Sequence, residues 1–142
     1  MFLWLEAVIL PLLGVLNYLA FKNYWYWRYP WFDKPMHFLG GLALGFFGLI
    51  TYIYFFNNPA GVRKIDWKMW PISLSPTLLI GIIWEGLEFK ASKIYVANVY
   101  LKTFGMFFRG GEESLKDLMF DFIGALSAIL LFLIIILCQK KK

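Results

Sequence analysis

Charge is scarce in this chain. Only 16% of its 142 residues are charged, where an ordinary soluble domain carries about a quarter. Histidine and cysteine occur once each. The lone Cys138 makes no intrachain disulfide, so a disulfide-stapled fold is excluded, and its place at the end of an apolar run marks it as a small apolar residue at a helix end. Acids number nine against 14 lysines and arginines. There is no internal repeat and no composition break that would mark a second domain. What the chain has in excess is apolar surface: 61% of its residues are hydrophobic and 21% aromatic. One small core has no room for that much, whereas lipid accepts apolar surface that water rejects. The net charge of +5 raises the question of a nucleic-acid partner. The basic residues, however, stand in short groups between apolar runs. Lysine and arginine flank membrane helices in this way, while a nucleic-acid binder gathers them on one face. A nucleic-acid partner is therefore excluded.

A membrane helix needs about 20 mostly apolar residues, and four stretches qualify: Phe2 to Phe21, Met36 to Phe56, Pro71 to Phe89 and Leu115 to Leu137. The first has neither a basic start nor a small-residue cleavage site, so it reads as a retained helix and not a signal peptide. The expected fold is an all-α polytopic membrane protein, a bundle of four transmembrane helices forming a single integral-membrane domain over residues 1–142. The connectors agree. Trp25, Tyr26, Trp27, Tyr29 and Trp31 form an aromatic belt at a headgroup interface. Asn57-Asn58-Pro59 and Gly61 are turn signals. The segment from Lys90 to Ser114 is too apolar for a solvated loop and too interrupted to span, so it is expected to lie in the interface as a cover over one end of the bundle. Gly41 and Gly45 make a small-xxx-small pair that Gly48 continues, a pattern that lets helix backbones approach closely in lipid.

The chemistry sits at span ends. Asp33 and His37 open the second span, Glu85 and Glu88 close the third, and Asp117 and Asp121 open the fourth. In an alternating four-span topology these three ends share one side of the membrane, so six ionisable side chains collect in one layer. Each pair is three or four residues apart and so shares a helix face. A carboxylate in the hydrocarbon region costs about 2.5–3.5 kcal/mol even on insertion scales. Glu85, Glu88 and Asp121 have no basic neighbour one helical turn ahead, and a helix C-terminus at Glu85 and Glu88 would disfavour anions further. Three solutions stand open. A divalent metal can bind Asp33, His37, Glu88, Asp117 and Asp121, a set of hard oxygen ligands with one imidazole that suits Mg, Mn, Fe or Zn. Some carboxylates can stay protonated, because burial and like charge raise their pKa. Or Lys34, Lys90, Lys93, Arg109 or Lys116 can reach in from the adjoining connectors. Purely structural roles compete with all three: Asp33 as the N-cap of the second span, Ser114 and Asp117 as a capping box, and Trp84 as an interface anchor.

Three segments carry a resemblance. Phe32-Asp33-Lys34-Pro35-Met36-His37-Phe38 with the glycines after it, Trp84-Glu85-Gly86-Leu87-Glu88, and Asp117-Leu118-Met119-Phe120-Asp121-Phe122-Ile123-Gly124-Ala125 together resemble the VanZ-like superfamily, nearest to its YjdF-related branch of uncharacterised bacterial inner-membrane proteins. The resemblance covers the last three spans. It implies that Asp33, His37, Glu85, Glu88, Asp117, Asp121 and Gly124 are signature positions. Members of the narrower VanZ group often carry Gln after the glutamate and Asn at the position of Asp121. This chain has Glu88 and Asp121 there, which favours the YjdF-like branch and counts against glycopeptide resistance. The resemblance supplies no reaction.

The expectation is therefore an integral protein of the bacterial inner membrane with an acidic, histidine-containing site at one interface, acting on or binding a membrane lipid or lipid-linked headgroup. As an enzyme it would be a metal-assisted hydrolase or phosphotransferase, with Glu85 as catalytic general base. As a proton- or cation-coupled carrier it would work as a homodimer, because four spans are few for a carrier. A non-catalytic assembly partner is the third expectation. The distribution of Lys and Arg among the connectors leans to cytoplasmic termini, which places the site outside.

Overall fold

A computed structural model describes residues 3–56, 66–95 and 110–139. These residues form α1 (Leu3–Lys22), a short α2 (Trp25–Arg28), one turn of 3-10 helix (Pro30–Phe32), α3 (Asp33–Phe56), α4 (Met69–Tyr95) and α5 (Gly111–Gln139). Four of the helices, α1, α3, α4 and α5, are long and apolar enough to cross a membrane. The protein is an all-α polytopic membrane protein. Val8, Leu12 and Val15 of α1, Leu79, Ile82 and Ile83 of α4, and Leu130, Leu131, Ile134 and Leu137 of α5 all face outward. A surface so uniformly apolar is untenable in water and ordinary in lipid, where the helices satisfy their own backbone groups.

α3 is the centre of the bundle. It packs on α1, α4 and α5, and α4 also packs on α5. The reason is its stripe of small residues. His37, Gly41, Gly45, Gly48 and Tyr52 are all buried and follow one another at helical spacing. A methyl group added at Gly45 would lie 2.8 Å from the Ala125 Cα, and one at Gly48 would lie 2.6 Å from the Ser73 Cα. One at Gly41 would collide with the Asp121 carbonyl, and one at Gly124 with the Phe38 carbonyl. These contacts hold α3 at backbone distance against α5 and, at Gly48, against α4, the packing expected of small-xxx-small helices. Below them, toward the far end of the bundle, Phe46, Leu49, Tyr52, Met69, Ile129 and Phe132 form the apolar core.

The link from α1 to α3 turns sharply. Tyr24 adopts a left-handed conformation (φ 58°), which ends α1, and the Asn23 backbone N–H and side-chain amide both donate to the Leu19 carbonyl, at 2.9 and 2.8 Å. Pro30 then opens the 3-10 turn, because it has no N–H to continue α2.

Several helix ends differ from the sequence reading, and the larger differences are extensions toward the polar layer. Asp33 is already helical (φ −59°, ψ −44°) after the 3-10 turn, so it does not act as an N-cap. α5 starts at Gly111, with Glu112 and Glu113 in its first turn, and Ser114 N–H bonds the Gly110 carbonyl at 3.2 Å. Ser114 and Asp117 are therefore inside the helix and not a capping box. α4 runs on to Tyr95, so Glu85 and Glu88 are well clear of its last turn. The macrodipole penalty expected for them does not apply, since that effect fades within a turn of the end. The turn signals at 57–61, the interfacial cover beyond Tyr95 as far as Arg109, and the terminal lysines lie outside the described residues.

Candidate functional site

The alternating topology brings the beginnings of α3 and α5 to the same end of the bundle as the C-terminal half of α4. His37, Glu85, Glu88, Asp117 and Asp121 are buried there, none more than 8% exposed, and Asp33 is half-buried beside them. Burial this deep obliges each charge to find a partner or a proton.

His37 is the hub. Its Nδ1 lies 3.1 Å from Asp121 Oδ2. Its Nε2 lies 3.8 Å from Asp33 Oδ1 and 3.8 Å from Glu85 Oε1. Asp33 is one turn behind on the same helix, Glu85 comes from α4 and Asp121 from α5, so one imidazole meets all three helices. With Nδ1 donating to Asp121, the Nε2 lone pair points toward the Asp33 and Glu85 side. This is the arrangement by which a carboxylate orients a metal-binding histidine.

The space for Asp121 is made by glycine. A methyl group at Gly81 of α4 would sit 2.8 Å from Asp121 Oδ2, and one at Gly40 would touch Oδ1 at 4.0 Å. The backbone of Asp121 already rests on Gly41. Three glycines on two helices thus form the slot that aims this carboxylate at His37.

Asp33, His37 and Asp117 each offer a ligand atom within 4.8 Å of the others. Two ligands about 2.1 Å from a common ion lie at most about 4.2 Å apart, so the three are close to a cation-binding set and slightly open. Two buried oxygens at the same place, Glu85 Oε1 and Asp117 Oδ1, have no hydrogen-bond partner among the described residues. Unpaired acceptors buried in a carboxylate-rich layer fit a cation or protons. Glu88 is placed differently: its Oε1 accepts from Trp84 Nε1 at 2.9 Å.

Three of the four lysines that the sequence reading allowed to reach into this cluster have other partners. Lys34 pairs with Glu113 at 2.9 Å, and Lys116 pairs with Glu112 at 2.8 Å and Glu113 at 3.7 Å. Lys93 lies over the Phe89 ring. Arg109 lies outside the described residues. Among the described residues, His37 is the basic group that Glu85 and Asp121 meet.

Tyr26, Asn17 and Trp84 join the site, and the sequence reading placed Tyr26 and Trp84 elsewhere. Tyr26 was read as part of the aromatic belt, yet its hydroxyl donates to Asn17 Oδ1 of α1. Burial pushes the Tyr26 phenol above its ordinary value near 10, and the neighbouring Asp33 and Glu88 push it further. It stays neutral and keeps its proton for Asn17. The available signal was Asn17 itself, an amide in the C-terminal half of a mostly apolar span. Trp84 was read as an anchor, but its i, i+4 relation to Glu88 allows the indole N–H bond it makes.

Over residues 1–137 the chain matches the family described as "predicted membrane protein (DUF2238)". The chain belongs to that family. The family's description agrees with the four spanning helices and names no reaction. No curated protein and no solved structure matches the chain.

Proposed function

We propose that this protein sits in the bacterial inner membrane, holds a divalent cation at Asp33, His37 and Asp117, and uses it to bind or act on the headgroup of a lipid or lipid-linked molecule. The observation that carries the reading is the convergence of those three ligand groups with the buried Glu85 Oε1 and Asp117 Oδ1, which have no hydrogen-bond partner among the described residues. A cation there would relieve the repulsion among the carboxylates and give both orphaned oxygens a partner. Asp121 would act through His37, holding the ring so that Nε2 faces the ion. A bound divalent ion would polarise a phosphoryl or carbonyl oxygen and acidify a water. Glu85, whose Oε1 lies beside His37 Nε2, is the group best placed to take a proton from that water, which makes a hydrolase or phosphotransferase the natural class. The motif resemblance to the VanZ-like superfamily, in its YjdF-related branch, supports the bacterial inner membrane as the location.

The test is metal analysis of the purified, full-length protein. About one divalent ion per chain is expected, absent in Asp117→Asn and held about 10–100-fold more weakly in Asp121→Ala. Wild-type protein that binds no divalent metal, even when supplied with it, rejects the metal-dependent reading.

A second reading has its own support. His37 stands between Asp121 on one nitrogen and Asp33 and Glu85 on the other, the layout of a proton relay. A proton- or cation-coupled carrier, working as a homodimer, would use it. Reconstituted protein free of metal would then move protons or cations in response to a pH gradient.

A further inference from the structure

A cavity of about 180 Å³ opens beside the acidic layer, between α1 and α4 and over α3. It is long in one direction. Its lining runs from Asp33 to Leu44 of α3, eleven residues or about 16 Å along the helix, and so reaches from the interface into the hydrocarbon zone. Its deep end is apolar, with Leu13 of α1, Leu44 of α3 and Ile80 of α4.

The outer end has a different character. Phe21, Tyr26 and Trp84 line it together with the carboxylates of Asp33 and Glu88. The Phe21 and Tyr26 rings are 5.4 Å apart and inclined at 45°, forming two sides of a corner. The Trp84 indole is held in place by its bond to Glu88 Oε1. Although the chain carries a net charge of +5, no lysine or arginine lines this cavity among the described residues. Its one basic group, His37, is engaged by Asp121. Acidic side chains therefore outnumber basic ones in the lining among the described residues, and two of them, Asp33 and Glu88, act on the Tyr26 phenol. Aromatic faces with adjacent carboxylates recognise organic ammonium ions, and the attraction grows as the site is desolvated.

We infer that this cavity seats an amphiphile with an ammonium headgroup, the cation held among Phe21, Tyr26 and Trp84 beside Glu88 and the chain lying along Leu13, Leu44 and Ile80. This names the substrate class for the site proposed above. It rests on that reading for the amphiphile and is independent of the metal. Glu88, which is not among the proposed metal ligands, is the carboxylate left to face the headgroup, and no lysine or arginine among the described residues lines the cavity to pair with an anion. A short cation would leave the apolar half of the cavity without a partner.

The experiment is calorimetric titration of the full-length protein in a neutral maltoside detergent, with empty micelles subtracted. The probes are dodecyltrimethylammonium, dodecyl phosphate and tetramethylammonium, each run with and without a chelator. Dodecyltrimethylammonium is expected to bind saturably, one per chain, and at least about tenfold tighter than dodecyl phosphate. Glu88→Gln and Trp84→Leu should each weaken it by about tenfold. Tetramethylammonium should show no binding, which separates a membrane amphiphile from a free cation. Dodecyl phosphate binding as tightly as the ammonium probe overturns the inference, as does wild-type affinity in both variants. Tetramethylammonium binding as tightly as its long-chain counterpart overturns the amphiphile. Ammonium binding by a protein that takes up no divalent metal even when supplied with it removes the metal reading and leaves this one standing. Stoichiometric metal with no ammonium binding does the reverse.

Discussion

Gly81→Ala is the sharpest probe of how the site is assembled, because it changes one methyl group at a position that touches no solvent and carries no charge. The new Cβ would lie 2.8 Å from Asp121 Oδ2 and 2.9 Å from Leu118 Cδ2, where ordinary contact begins at 3.4 Å. The Asp121 carboxylate must retreat by about 0.6 Å. Its bond to His37 is 3.1 Å long, and a retreat of that size along its axis takes it beyond hydrogen-bond range. A hydrogen bond to a charged group contributes about 1.5–3 kcal/mol. Replacing Gly by Ala within a helix returns up to about 1 kcal/mol. The net expectation is a loss of about 0.5–2 kcal/mol, with weaker metal retention because His37 loses its orienting partner. Gly86→Ala on the same helix is the matched control, since an added Cβ there meets nothing within 4 Å. It should be neutral or stabilising by up to about 1 kcal/mol. Denaturant unfolding in detergent micelles, followed by circular dichroism, measures both variants. If Gly81→Ala unfolds together with Gly86→Ala and keeps its metal, Asp121 does not occupy the slot over Gly81 and the assembly described above is wrong.

Two further outcomes are expected. Gly48→Ala places a methyl group 2.6 Å from the Ser73 Cα, which is backbone and has no free end to move, so it should destabilise by about 1–3 kcal/mol; a midpoint at or above the wild type in the same unfolding assay counts against the close approach of α3 to α4. Tyr26 is held neutral in the folded state by burial first and by Asp33 and Glu88 second. Its folded pKa is raised, so the stability it contributes is complete below pH about 10 and is lost as pH climbs from there toward the folded value. Wild-type protein should therefore lose more stability between pH 9 and 11 than Tyr26→Phe does, and parallel pH curves for the two would show that the phenol is not buried beside those carboxylates.

Much of the polar layer was legible from spacing. Asp33 with His37, Glu85 with Glu88, and Asp117 with Asp121 are each one turn apart at the end of an apolar run, and alternation of span direction sends all three ends to one interface. The capping roles for Asp33 and Asp117 failed for a single reason: the helices extend outward past the apolar runs, and hydropathy reports where a span stops being apolar, not where its hydrogen bonds stop. The partners of Lys34 and Lys116 were missed because Glu112 and Glu113 looked like connector residues until α5 was seen to start at Gly111.

Residence in the membrane, the number of crossings and the common depth of the ionisable groups are properties of the one-dimensional pattern. They depend on the length and order of apolar runs, and each run meets lipid without consulting its neighbours. Which atoms meet is another matter. The rotation of each helix about its axis comes from the close approach of Gly41, Gly45 and Gly48 on α3 to α5 and α4, and that rotation puts Asp121 on one face of His37 with Asp33 and Glu85 on the other. Only the folded bundle brings Asn17 and Tyr26 across from α1 and α2 to close the cavity, because side-chain direction on one helix is fixed by packing against residues distant in the chain.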